Sequence, residues 1–276
     1  MVETKKDGTT TTTTIDKSGN KTETVENPDG SSKTTGDNKD GSSSTTTVSE
    51  DGKVEAEVKL PAAVVNDAAE KGETVALPMP EVPVTTSTEN APTVTVTLPS
   101  NTSAKVEIPV AEVTPGTVAV IVKADGTEEI IKTTLTTDNG VAVTLSDGDA
   151  VKIVDNSKEF DDVSSHHWGS DYIDFATSRE LFSGTSATTF SPETVMTRAM
   201  IVTVLASYDG ADTSASAGEA WYTSGQQWAM ENGISDGSNM ENSLISGMGD
   251  GSLDPQGLAT RAQVATIMSQ FVALTA

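Results

Sequence analysis

The sequence contains no cysteine, three arginines, two histidines and eleven aromatic residues in 276 positions. Without cysteine there are no disulfides and no thiolate metal sites, although the compartment stays open on that ground alone. No run approaches the ~20 apolar residues that a membrane-crossing helix needs, so no membrane insertion is expected. Positive charge is scarce too, with 17 Lys and Arg against 41 Asp and Glu and a formal net charge of −24. Such a surface repels polyanions and excludes nucleic acid as a partner over most of its area. The opening stretch MVETKKDGTTTT lacks an apolar core behind its charges and does not read as a secretory leader. Either the chain is cytosolic, or Met1 is a point inside a longer exported chain. A cysteine-free, acidic, Thr-rich chain suits an extracellular bacterial surface.

The scarce residues are placed unevenly. Every aromatic lies between Phe160 and Phe271, the arginines are Arg179, Arg198 and Arg261, and the histidines are His166 and His167. Nine of the eleven prolines lie at or before Pro115. These shifts divide the chain into three. In residues 1–52, fourteen Thr and seven Ser accompany glycines at 8, 19, 30, 41 and 52, an eleven-residue period with Asp before four of the five. Asp-Gly favours tight turns, and β-branched Thr favours extended backbone between them. The period describes a strand and a turn, repeated, forming either a marginal β-structured stalk or a disordered extended spacer.

Residues 53–156 read as an antiparallel β domain with one short helix. PAAVVNDAAEKG carries Pro61 where a first helical turn tolerates it and Gly72 where a helix would stop. Alternating runs follow from Thr93, Lys105, Thr117 and Val141, punctuated by Asp125-Gly126, Asn139-Gly140 and Asp147-Gly148. An antiparallel meander with one buried, wholly aliphatic face is expected, closed as a small sandwich or half-barrel.

Residues 157–276 contain a duplication, with motif one at about 160–210 and motif two at about 217–276. An offset of 63 carries Gly184 to Gly247, Phe190 to Leu253, Pro192 to Pro255 and Arg198 to Arg261. Upstream, an offset of 53 carries Trp168 to Trp221, Phe175 to Trp228 and Leu181 to Ile234. The difference of ten is one insertion near SDGSNMENSL. Each copy reads as helix, loop, helix, with Trp168, Tyr172, Phe175 and Ala176 on one face and Ile201, Val204, Leu205 and Tyr208 on another. Thr197 and Thr260 stand where an N-cap belongs. Gln263 completes a capping box in the second copy, whereas Met200 cannot in the first.

The stretch FDDVSSHHW…LFSGTSATTFSPETVMTRAM resembles an S-layer homology (SLH) motif, which opens with Phe-x-Asp-Val, passes a Gly-containing loop and Phe-x-Pro, and closes with Ile-Thr-Arg-Ala-Glu. AWYTSGQQWAMENGI…GMGDGSLDPQGLATRAQ resembles a second copy without Phe-x-Asp-Val, and Met200 and Gln263 replace the closing Glu. The region ahead of them is similar to segments that precede such motifs in surface proteins of Clostridia-like, Gram-positive bacteria.

The resemblance implies non-covalent anchoring to secondary cell-wall polysaccharide, typically a polymer with a pyruvylated terminal sugar. A guanidinium fork matches a pyruvyl carboxylate, and from Ser157 onward four bases face fifteen acids. Arg198 and Arg261 are therefore the expected carboxylate ligands. Trp168 and Trp221 would line a sugar groove, Asp162 would hold sugar hydroxyls or the loop, and Gly184, Gly247, Gly249 and Gly251 would let a sugar approach the backbone.

Blander roles compete. The arginines could neutralise Asp162 or Asp254, and Trp168, Trp221 and Trp228 could be core residues. Arg179 departs from the repeat and reads as solvated. The His166-His167 pair and SDGSNMEN lack metal spacing, so no metal, cofactor or catalytic group is expected.

The expected architecture is thus multidomain, α and β: a Thr-rich β-repeat or disordered stalk, a small antiparallel β domain, and an all-α C-terminal region of SLH-type helical repeats. Because the family presents three motifs and two are visible, self-association is one expected route to a complete three-motif prism. The competing reading is a structural or adhesive surface stalk whose helical repeats only fold or oligomerise.

Overall fold

The computed structural model describes residues 1–209, 211–214, 216, 218–232, 234 and 257–275. It comprises two compact units, Met1–Ser157 and Lys158–Thr275.

The first unit opens with six strands, β1 (Val2–Thr4), β2 (Thr10–Ile15), β3 (Lys21–Glu26), β4 (Ser32–Asp37), β5 (Ser43–Val48) and β6 (Val54–Lys59). Each turn between them repeats one geometry. At the second, Asp16 N–H donates to Asn20 O at 3.0 Å, Gly19 N–H donates to Asp16 O at 3.1 Å, and Gly19 sits at φ 85°. That is a turn closed by a left-handed glycine, the backbone state glycine enters without a Cβ penalty. Because turn and strand repeat together every eleven residues, the register repeats as well, and Thr12, Thr24, Thr34 and Thr46 stand directly opposite one another across four strands.

The chain then forms α1 (Ala62–Lys71), β7 (Val75–Ala76), β8 (Thr93–Thr97), β9 (Ser103–Pro109), β10 (Thr117–Val122), β11 (Glu128–Ile130), β12 (Leu135–Thr136), β13 (Gly140–Ser146) and β14 (Ala150–Asp155). One ten-stranded sheet runs β1-β2-β3-β4-β5-β6-β8-β14-β10-β11, and a four-stranded sheet runs β12-β13-β9-β7. Between them lies an aliphatic core that includes Ala56, Val58, Val94, Val96, Val106, Ile108, Val143, Leu145 and Ile153.

This corrects two expectations of fold class. The Thr-rich repeat is neither disordered nor a stalk of its own, since its strands are the leading part of the sheet that contains β8, β14 and β10. The physical reason is β6, whose alternation buries Val54, Ala56 and Val58 on one side and lets the meander continue into the core sheet. Nor is the pairing purely antiparallel: β6 pairs with β8, and β7 with β9, in parallel. A parallel pair needs a crossover, which the segment containing α1 supplies between β6 and β8.

The second unit contains α2 (Ser170–Ser178), β15 (Val195–Thr197), α3 (Arg198–Tyr208), α4 (Thr223–Glu231), β16 (Leu258–Thr260) and α5 (Arg261–Thr275). The expected all-α repeat is corrected here, and the described residues are mostly β. Val195 and Thr197 are β-branched, and an N-cap residue is extended before its helix begins. Each copy lengthens that extended lead-in to three residues, and the two lead-ins pair as an antiparallel ribbon.

The ribbon makes the duplication a symmetry. Met196 pairs with Ala259, its own equivalent at an offset of 63, while Val195 pairs with Thr260 and Thr197 with Leu258. Two further bonds obey the same exchange: Arg198 N–H donates to Gly257 O at 2.8 Å, and Arg261 N–H donates to Thr194 O at 2.9 Å. A local pseudo-twofold axis therefore passes between Met196 and Ala259. The helices obey it too, since an offset of 53 carries Ser170–Ser178 onto Thr223–Glu231, and the copies exchange partners, α2 packing on α5 and α3 on α4.

Ile173 and Ala176 of α2 meet Ala262 and Ala265 of α5, with Phe190 in the same cluster. On the other pair, Gly225 of α4 lies so close to α3 that an added Cβ would come within 2.9 Å of Thr203 Cα. Two details of the expected helix faces differ. Tyr172 and Val204 are exposed, and Ile173 and Val202 take the buried places.

Candidate functional site

Thr260 and Thr197 begin the helices that carry the two repeated arginines. Thr260 Oγ1 accepts the N–H of Gln263 at 3.3 Å, and Gln263 Oε1 accepts the N–H of Thr260 at 2.8 Å, a complete capping box. Thr197 Oγ1 accepts the N–H of Met200 at 3.3 Å, and Met200 has no oxygen with which to reciprocate. Both helix starts are thus fixed, one more firmly than the other.

Arg261 reaches across to the loop that follows α2. Its Nε donates to Phe190 O at 2.7 Å and its Nη2 to Ser183 O at 2.5 Å. The guanidinium lies over Phe182 at 4.2 Å and over Phe190 at 4.7 Å from the ring centroids. Two of its five donors are used in these bonds. Burial pulls its pKa down, and the nearby Asp162 charge pulls the other way.

Asp162 grips the same loop from the other side. Oδ1 accepts the N–H of Phe190 at 2.8 Å and Oδ2 the N–H of Ser191 at 2.7 Å. Desolvation is the largest single influence on its carboxyl and raises the pKa. The two backbone donors and the Arg261 charge together outweigh it and hold the group below its ordinary value. Gly184 belongs to this loop as well, and a Cβ there would come within 2.5 Å of Ser186 O and 2.7 Å of the Phe160 ring. Its missing side chain admits protein atoms.

Arg198, at the start of α3, is half-buried. Trp168 and Trp221 are 58% and 53% exposed. Trp168 stacks on His167, ring centroids 5.5 Å apart, and Trp221 meets Tyr222 edge-on at 5.4 Å. Trp228 is buried, its indole Nε1 donating to Asp209 Oδ2 at 3.1 Å. The tryptophans thus divide into one core residue and two exposed, repeat-related ones.

The structure brings Asp162, Arg261 and Gly184 together around one loop. Gly247, Gly249 and Gly251 lie outside the described residues, as do Asp254 and SDGSNMEN. Arg179 corrects the solvated reading, for it is fully buried. Its guanidinium stacks 3.7 Å above the Phe175 ring and donates to Phe175 O and Ser178 Oγ, and burial pushes its pKa down to about 9 against the pull of Asp174 and Tyr208. The sequence reading overlooked Phe182, Ser183 and Phe190 as partners of Arg261. The available signal was Phe190 itself, the aromatic of Phe-x-Pro.

Residues 159–199 and 241–265 match the family model of the S-layer homology domain, so the chain carries two SLH motifs. Domains of this family are binding modules at the cell surface, where they anchor proteins to cell-wall polysaccharide. No curated protein and no solved structure matches the chain significantly. No helix among the described residues is long and apolar enough to cross a membrane.

Proposed function

We propose that the C-terminal unit anchors an exported protein non-covalently to the cell wall by binding a secondary cell-wall polysaccharide, and that the preferred sugar is acidic, of the pyruvylated kind. The observation that carries this reading is the pair of exposed tryptophans at equivalent places in the two copies, Trp168 and Trp221. An indole left to solvent gives up apolar burial that folding would otherwise use, so two repeat-related cases call for an occupant. Sugar rings present apolar C–H faces that suit an indole.

Arg198 stands at a helix start, where the helix dipole adds to its charge, and it contacts the acid in this proposal. Arg261, its equivalent in motif two, retains donors for a carboxylate of its own while positioning the loop of Gly184 together with Asp162. Residues 1–52 extend the unit formed with residues 53–156, which serves as the spacer ahead of the anchor.

Co-sedimentation with purified wall sacculi tests this. Wild-type chain pellets with the sacculi, and the Trp168→Ala/Trp221→Ala double variant stays in the supernatant while its melting temperature holds. Equal pelleting of both proteins overturns the assignment.

A further inference from the structure

A groove lies in the first unit, on the face of the Thr meander. It measures about 380 Å³ and is lined by β2–β5, their turns and the segment Leu77–Pro80. Pockets that hold small ligands begin at about this size.

Its floor is a patch of hydroxyls. Thr14 and Thr22 face each other across β2 and β3, both exposed, so their hydroxyls are open to solvent. Thr34 adds a third, shared at 3.1 Å with Thr24.

Gly36 interrupts the hydroxyl row between Thr22 and Ser44. A Cβ there would meet Ser44 Oγ at 2.9 Å and Pro78 O at 3.2 Å. Its absence lets Ser44 Oγ reach Pro78 O and brings the Leu77–Pro80 segment down as a wall. One side of the groove is therefore apolar, made by Pro78, Met79 and Pro80, and the other is hydroxyl and amide.

Charge narrows the ligand class. No Lys or Arg lines the groove, so nothing there would hold an anion. The one carboxylate, Asp16, already accepts from Ser18 N–H, Asn20 N–H and Asn20 Nδ2, so it is not waiting for a cation. Solvent-open hydroxyls that both donate and accept, set against an apolar wall, suit a neutral polyol with a C–H face.

We propose that this groove binds a neutral pyranose, the Thr14, Thr22 and Thr34 hydroxyls bonding the sugar's hydroxyls and the Pro78–Met79 wall covering its C–H face. The protein would then touch the wall glycan at two chemically different places, a neutral contact here and the acidic one in the C-terminal unit.

Titration of the ¹⁵N-labelled full chain with chitotriose and, separately, with cellotriose tests this by NMR. Saturable shifts of the Thr14, Thr22, Thr34 and Met79 amides with either trisaccharide are expected. Thr22→Val, which keeps the side-chain shape and favours a strand, should weaken binding about fivefold, the equivalent of one hydrogen bond. The Trp168→Ala/Trp221→Ala variant should titrate like wild type, which separates this site from the C-terminal one. No saturable shift in residues 1–157 with either sugar, or unchanged affinity in Thr22→Val, overturns the proposal.

Discussion

Asp162 and Arg261 hold the two ends of one residue. Asp162 accepts the N–H of Phe190 and Arg261 donates to its carbonyl, at 2.8 and 2.7 Å. The acid comes from the opening of motif one and the arginine from the close of motif two, so the clamp ties the copies together. The Phe190 ring is buried between Phe160 and Phe182 at centroid distances of 5.5 and 5.7 Å. Arg261→Ala removes charge-assisted bonds to two carbonyls and should destabilise the C-terminal unit by about 2 kcal/mol. A double-mutant cycle with Asp162→Asn, read by urea denaturation, should show coupling of about 1 kcal/mol. Strict additivity would mean that the two groups act independently.

The same clamp sets an acid limit. The folded-state pKa of Asp162 is depressed, so folding favours the ionised form. Its contribution is complete above the unfolded pKa of about 3.9 and is lost as pH falls through the lower folded value. Thermal melts of wild type and Asp162→Asn should therefore converge on acidification below about pH 4 and separate again toward neutrality. A gap that stays constant with pH would contradict this sign.

The capping difference between the copies predicts unequal responses to the same substitution. Thr260→Ala breaks a reciprocal box and should cost about 1 kcal/mol, with Thr197→Ala costing less. Met200→Gln would supply the missing acceptor and should stabilise the unit by about 0.5 kcal/mol. Hydrogen exchange at the first turns of α3 and α5 reads both effects locally. Equal losses for the two threonines would show that the box adds nothing.

Much of this was legible in the chain. The eleven-residue glycine period marked the turns because each needs a positive φ, as at Gly19. The offsets of 53 and 63 located the paired helices because each copy keeps its anchors. What sequence concealed was non-local. The parallel pairing of β6 with β8 leaves no mark in either strand's alternation, so a stalk and a domain were expected where one sheet runs through. The ribbon was hidden because Val195–Thr197 and Leu258–Thr260 are short, and each reads as the approach to a helix. Arg179 looked solvated because arginine usually is, and only the fold places it over Phe175. At the site, Trp168 and Trp221 carry the periodicity of core residues, but each lies ahead of its helix, α2 or α4, and is exposed.

The central claim is that the C-terminal unit holds an acidic wall sugar, and it is tested most directly by affinity for wall polysaccharide before and after its ketal pyruvate is removed. The account predicts that depyruvylation weakens wild-type binding at least tenfold, a loss of about 1.4 kcal/mol, and that Arg198→Ala weakens binding to the intact polymer while responding little to pyruvate removal. Equal affinity of the wild-type chain for the two polymers would contradict it.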